Sequence, residues 1–182
     1  MLAYVFWHWP SPQHTADAYE ALQRALHAAL AQSAPSGFIR SFVFRLDGQA
    51  PWLGGTPAYA DWYLVDASPA LDPLNVAAVS GVCEAPHAEV ARAMAAGAGS
   101  LFGAYTDKTS VGNARTITFV TKPRPMPYAT FKTEMASVPK ESLWRRQMVL
   151  GPTPEFALLT QSPVNIPDTF TPLSLTLTPV WP

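Results

Sequence analysis

His8 and Asp61 are the residues whose types and settings most resemble a working pair. His8 lies in the aromatic run Phe6-Trp7-His8-Trp9, and Asp61 in Tyr59-Ala60-Asp61-Trp62-Tyr63. An imidazole held by a carboxylate beside aromatic walls is what a general base or an orienting hydrogen bond requires. Arg45 would stabilise developing negative charge nearby. Trp7, Trp9, Trp52 and Trp62 would supply the walls of a substrate site. A second pairing lies in Leu143-Trp144-Arg145-Arg146-Gln147-Met148. A guanidinium over Trp144 can hold a carboxylate or enolate, and neighbouring strand residues face opposite ways, so at most one of Arg145 and Arg146 turns inward. The plainer readings are a satisfied polar patch at a sheet end and a rim arginine stacked on Trp144.

Other chemistries find little support. All four histidines (His8, His14, His27, His87) precede residue 88, and Cys83-x-x-x-His87 stands without partner ligands, so no metal site is expected. There is no nucleophile elbow, phosphate loop or dinucleotide fingerprint. The glycines at 97, 99 and 103 read as a helix stop and a turn. A lone cysteine implies no intrachain disulfide, and Cys83 reads as a small buried thiol. Twelve basic residues against thirteen acidic ones give no basic stripe; Lys122, Arg124, Arg145 and Arg146 are too few for nucleic acid. No apolar run approaches the roughly 20 residues that span a bilayer. Residues 1–9 read as a first strand, not a leader, and the expected compartment is the cytoplasm.

The elements that must position these residues follow from pattern. Residues 2–9 form a strand stopped by Pro10-Ser11-Pro12. Asp17 and Glu20 suggest a capping box, and Tyr19, Leu22, Leu26 and Leu30 recur at helical spacing to about residue 32. Strands follow at 38–47 and 58–66, then short helices beginning near Asp72-Pro73 and Pro86, then a strand at 100–105. Strand, helix, strand, strand, helix, strand is the ferredoxin-like order. Its 4-1-3-2 sheet puts the end of the first strand, His8, opposite the start of the third, Asp61. It brings Arg45 to that end too and carries Arg40 to the other, near Asp66. Alternation does not say which face each residue takes.

The pattern then starts again. Phe6-x-x-x-Pro10-x-Pro12 has a counterpart in Phe119-x-x-x-Pro123-x-Pro125, each followed by a helix, an arginine-bearing strand and a strand ending in Ser-Pro. The expected fold is therefore α+β: a single domain, 1–182, of two ferredoxin-like repeats (about 1–106 and 114–182). Their antiparallel sheets pack face to face as an internal α/β barrel, and the second repeat lacks its last helix.

The aromatic first strand, the Ala-Asp-Trp-Tyr-Leu-Val third strand and the repeat resemble the dimeric α+β barrel superfamily, and the segments 6–10, 61–65 and 143–148 together resemble a bacterial group of that build. That superfamily holds cofactor-free monooxygenases, haem enzymes and stress-responsive proteins without known catalysis, so fold alone does not fix function. In its tandem haem-binding members the second unit supplies the axial histidine, and this second unit has none. The resemblance implies a cofactor-independent, monooxygenase-type enzyme acting on an apolar or aromatic substrate, with His8 and Asp61 handling the proton. Two other readings stand beside it: a non-catalytic ligand-binding or stress-associated barrel, and a structural self-association module. A small-molecule ligand is the expected partner, with the chain a monomer or homodimer.

Overall fold

The strands bury side chains on both faces, and this double burial sets the architecture. The computed structural model describes residues 1–148 and 150–182, without the side chain of Lys108. Among them are β1 (Leu2–Pro10), β2 (Phe38–Asp47), β3 (Ala58–Val65), β4 (Met94–Thr109), β5 (Thr116–Val120), β6 (Ser142–Arg146), β7 (Phe156–Thr160) and β8 (Leu173–Trp181). Every pairing is antiparallel, and the strands close into one barrel in the order β1-β3-β2-β8-β5-β7-β6-β4. Four helices cover it: α1 (Ala16–Ser33), α2 (Leu71–Ala78), α3 (Glu84–Ala93) and α4 (Tyr128–Ala136). No helix of the described residues is long and apolar enough to cross a membrane.

The period of two along each strand divides the buried residues into two sets. Ala3, Val5 and Trp7 of β1 turn inward with Phe42 and Phe44, Trp62, Phe102, Phe119 and Trp144, which fill the barrel. The loop 48–57 delivers Trp52 onto this core, where its ring meets Phe119 edge-on at 4.8 Å and Trp7 at 6.1 Å. Rings of this size bury the most apolar area per residue, and edge-to-face contacts add about 0.5–1.5 kcal/mol each. Tyr4, Phe6 and His8 point the other way, toward the helices, as do Tyr59, Asp61 and Tyr63 of β3.

Several expectations shift. The cap of α1 is Thr15, whose hydroxyl accepts from the Ala18 N–H; Asp17 sits in the first turn, and Glu20 is drawn instead to Arg45 and Arg24. The glycines at 97, 99 and 103 are neither helix stop nor turn but lie within β4, which starts at Met94. They make room: a Cβ on Gly97 would press on the Phe6 ring and one on Gly99 on Tyr4. Phe6 and Phe119, matched by the Phe-x-x-x-Pro-x-Pro pattern, face opposite sides, Phe6 out beside His8 and Phe119 in beside Trp7. The motif therefore does not align the two segments residue for residue. Between β7 and β8 the described chain makes one 3₁₀ turn, Asp168–Phe170.

Candidate functional site

Three side chains from strands and a helix converge on Asp61, and they do so under the helix layer, not inside the barrel. Asp61 is opposite Phe6 in the β1–β3 ladder, and His8 opposite Tyr59, so His8 reaches Asp61 diagonally on the shared outer face. His8 Nε2 lies 2.9 Å from Asp61 Oδ1. His27 comes down from α1, placing Nε2 3.3 Å from Oδ2. The Tyr63 hydroxyl, two residues along the same face of β3, donates to Oδ2 at 3.0 Å. His8, His27 and Asp61 are 1%, 0% and 2% exposed.

An ionised carboxylate only accepts, so the Nε2 atom of each imidazole carries the proton it donates. Each Nδ1 faces a hydroxyl, that of Tyr19 at 2.7 Å from His8 and that of Ser41 at 2.8 Å from His27. A hydroxyl can donate to a neutral ring or accept from a charged one. Burial opposes ionisation of Asp61, but the charges and N–H groups of His8 and His27 outweigh it and hold the carboxyl well below its usual range. Burial, reinforced by the charge of Asp61, pushes the Tyr63 and Tyr19 hydroxyls well up, so both act as O–H donors at neutral pH.

Tyr63 also lines a cleft of about 640 Å³ between the outer faces of β1 and β4 and helices α1–α3. Tyr4, Phe6, Leu26, Leu30 and Leu74 make its apolar walls, and Gly99 leaves part of its floor bare. Asp72, Asn75, His87 and Ser100 add polar groups. The Tyr63 ring stacks on His27 at 5.1 Å, and its oxygen is 3.4 Å from His27 Nε2. A cleft ligand that touches the Tyr63 oxygen is one hydrogen bond from Asp61 and His27.

The expected site residues do not gather at one place. His8 and Asp61 meet. Trp7, Trp62 and Trp144 are fully buried in the barrel interior, Trp52 packs onto them, and Trp9 lies against Gly54 and Gly55. Arg45 shares the outer face with Asp61 but binds Glu20 at 3.0 Å, where Tyr59 also donates. Arg145 is on the far side of the barrel, paired with Glu155 at 3.0 Å and stacked on Tyr128, not on Trp144. Arg40 lies over the Phe42 ring. His27 and Tyr63 were not among the expected site residues. The signal for His27 was available: with Tyr19, Gln23, Leu26 and Leu30 it completes the buried stripe of α1, an odd place for a histidine.

Among the described residues no group of three His, Cys, Asp or Glu side chains is arranged to hold a metal, and the imidazole nitrogens of the node are already engaged. Cys83 is a free, buried thiol whose ionisation burial disfavours.

In overall shape the chain is similar to the crystal structure of a candidate monooxygenase from Lactobacillus acidophilus NCFM. The TM-score is 0.54 at 12% identity, over 98% of this chain and 94% of that one. A candidate chlorite dismutase covers 99% of this chain and 96% of its own at 13% identity, with a TM-score of 0.47. No protein-family model and no curated protein matches the sequence. The likeness to the Lactobacillus protein is one of fold: an α+β protein built on a closed eight-stranded antiparallel barrel.

Proposed function

We propose that the cleft binds an electron-rich hydroxyarene and that the protein oxygenates it without a cofactor, with dioxygen as the second substrate. The observation that carries this reading is Tyr63, whose side chain lines an apolar cleft while its hydroxyl donates to a buried carboxylate held by two imidazoles. The substrate hydroxyl meets the Tyr63 oxygen, and as Tyr63 takes that proton it passes its own to Asp61 Oδ2, the atom its O–H already faces. The remaining anion is rich enough in electrons to reduce dioxygen itself. One oxygen atom becomes a ring carbonyl, and the other leaves as water with the hydrogens of the substrate O–H and C–H. A naphthol would give a naphthoquinone by this balance. Apolar walls suit such a ring, and excluding water strengthens the electrostatics around its oxygen. The fold likeness to a candidate monooxygenase supports the reading.

Two ferredoxin-like units describe the barrel in this proposal. The order β4-β1-β3-β2 on one side is matched by β8-β5-β7-β6 on the other, and both follow a strand, helix, strand, strand sequence before the fourth strand. A second reading, a binder of the same ligand without chemistry, rests on the near-complete burial of His8, His27 and Asp61.

Oxygen uptake and quinone formation with a panel of naphthols decide between the two. The proposal expects turnover that falls at least about a hundredfold in Tyr63→Phe and His27→Gln, in line with the usual worth of proton transfer in catalysis. Naphthol binding, followed by quenching of tyrosine and tryptophan fluorescence, with no oxygen uptake in the wild type favours the binder.

A further inference from the structure

The four cations that are scattered in sequence meet in space. Lys122 and Arg124 lie on the proline-rich segment 121–127, Arg145 and Arg146 end β6, and all four line a groove of about 670 Å³ beside the start of α4. Glu155 is the one carboxylate on that groove. A chain whose net charge is −1 therefore concentrates three units of positive charge in one concavity.

The manner of their holding matters more than their number. Lys122 Nζ donates to the carbonyls of Pro123 at 3.0 Å and Met126 at 2.7 Å, and rests over the Tyr128 ring at 4.7 Å. Arg146 is fastened by Nη1 to the carbonyls of Gly151 and Thr153, while its Nε–H is buried without a partner. Neither side chain is paired with a carboxylate among the described residues. Carbonyl oxygens and a ring face fix their positions but leave their charge uncompensated, at a desolvation cost. Arg145 is fixed from the other side, by Glu155 and by Tyr128, whose oxygen accepts from its Nη2 at 2.8 Å. Pro123, Pro125 and Pro127 stiffen the segment that carries Lys122 and Arg124. Three cations held in place before binding and a fourth on the stiff segment, with one countercharge among them, are what recognises a multiply charged oxyanion.

We propose that this groove is a second binding site, separate from the Tyr63 cleft, for a small soluble molecule bearing a phosphate, diphosphate or clustered carboxylates. Lys122 and Arg124 supply charge from the rigid segment, and Arg145 and Arg146 supply it from the end of β6. The site does not depend on the hydroxyarene reading.

Calorimetric titration of the full-length protein with inorganic pyrophosphate, and separately with citrate, tests it. Saturable one-to-one binding is expected at low salt, weakened markedly near 0.15 M salt, where the screening length is about 8 Å. Lys122→Gln and Arg124→Gln are each expected to weaken it by about tenfold, roughly the 1.4 kcal/mol of one charge-assisted contact. Arg45→Gln removes a cation already paired with Glu20 on another face and is expected to leave binding unchanged. Far-ultraviolet circular dichroism confirms that each variant is folded. The proposal is overturned if neither anion binds, if the groove variants bind as the wild type does, or if Arg45→Gln is equally impaired. Cosedimentation with phosphatidylserine vesicles, lost in Lys122→Gln while pyrophosphate fails to bind, would overturn the soluble ligand in favour of a lipid headgroup.

Discussion

Over β1 and β3 the helix layer covers His8, Tyr59, Asp61 and Tyr63; over β5 and β7 it covers Val120, Phe156 and Leu158. Both interfaces set a helix against the outer face of the same barrel. In the second, Phe131 of α4 packs on Phe156 at 4.2 Å and on Phe170 at 5.6 Å, with Met135 and Leu143 completing an apolar cluster. In the first, the middle of the contact is a carboxylate with two imidazoles and a phenol. Helix-on-sheet packing in this barrel evidently does not require buried charge, because one side does without it. Exchanging a buried ionic cluster for hydrocarbons of similar volume is often neutral or stabilising, so stability is a weak reason for its presence. That contrast is the best argument that the Asp61 node serves the cleft that opens beside it.

The largest effects come from damaging each interface in turn. Asp61→Ala strands two imidazoles and a phenol and is expected to cost about 3–5 kcal/mol by urea denaturation. Phe156→Ala opens a cavity under α4 and is expected to cost a similar amount, about 3–5 kcal/mol. The two differ in function: below its melting temperature Phe156→Ala keeps naphthol turnover, and Asp61→Ala loses it. The concerted variant His8→Leu/His27→Leu/Asp61→Leu rebuilds the first interface in the manner of the second. It is expected to fold with stability near the wild type and no turnover; failure to fold would show the node to be structural.

Acid separates the interfaces without mutation. The folded-state pKa of Asp61 is depressed below that of the unfolded chain, about 3.9. Its contribution is thus fully present above about pH 4 and is lost as pH falls below that value, because the unfolded chain binds the proton first. Denaturation midpoints measured from pH 6 to pH 3 should fall at up to about 1.4 kcal/mol per pH unit for this one group. In Asp61→Asn the part of the slope due to this group should vanish, while Phe156→Ala should keep it.

Much of this was legible before any coordinates. Residues 38–47 were read as β2 to the residue, because Phe38–Asp47 is dense in aromatic and β-branched types and ends at Gly48. The meeting of His8 and Asp61 followed from strand order alone. Their face did not. In β1 the inward Ala3, Val5 and Trp7 and the outward Tyr4 and Phe6 are all nonpolar or aromatic, because one set fills the barrel and the other lies under helices. Alternation carries no contrast when both faces are covered. The early part of β4 was missed for another reason. Ala95, Ala96, Gly97, Ala98 and Gly99 have weak strand propensity, and the two glycines leave room for the rings of Phe6 and Tyr4. The basic groove escaped because Lys122 and Arg124 are more than twenty residues from Arg145 and Arg146, and only the β5-β7-β6 order joins them.

Tyr63→Phe isolates the link between node and cleft. The fold loses one hydroxyl bond to Asp61, worth about 1 kcal/mol. Turnover is expected to fall by about a hundredfold or more in kcat, with KM moving less, since the hydroxyl matters most when the substrate proton leaves. The reverse split, a raised KM at unchanged kcat, would make Tyr63 a binding contact and leave the buried histidines without a route to the ligand.

The smallest effect tests the cleft floor. A Cβ on Gly99 would lie 2.8 Å from the Tyr4 oxygen and 3.0 Å from its ring edge, with no backbone atom as near. Tyr4 is 36% exposed, so its ring can swing aside, and Gly99→Ala is expected to cost less than about 1 kcal/mol. The ring has few places to go except across the cleft that it lines. A severalfold rise in KM for naphthols with kcat nearly unchanged is therefore the expected signature. Gly103→Ala is the control, since it lies on the same face of β4, where its neighbour is Gln147 and not the cleft. Equal kinetics in both variants would mean that the substrate does not lie over Gly99, and the search for it would move to the wall formed by α2.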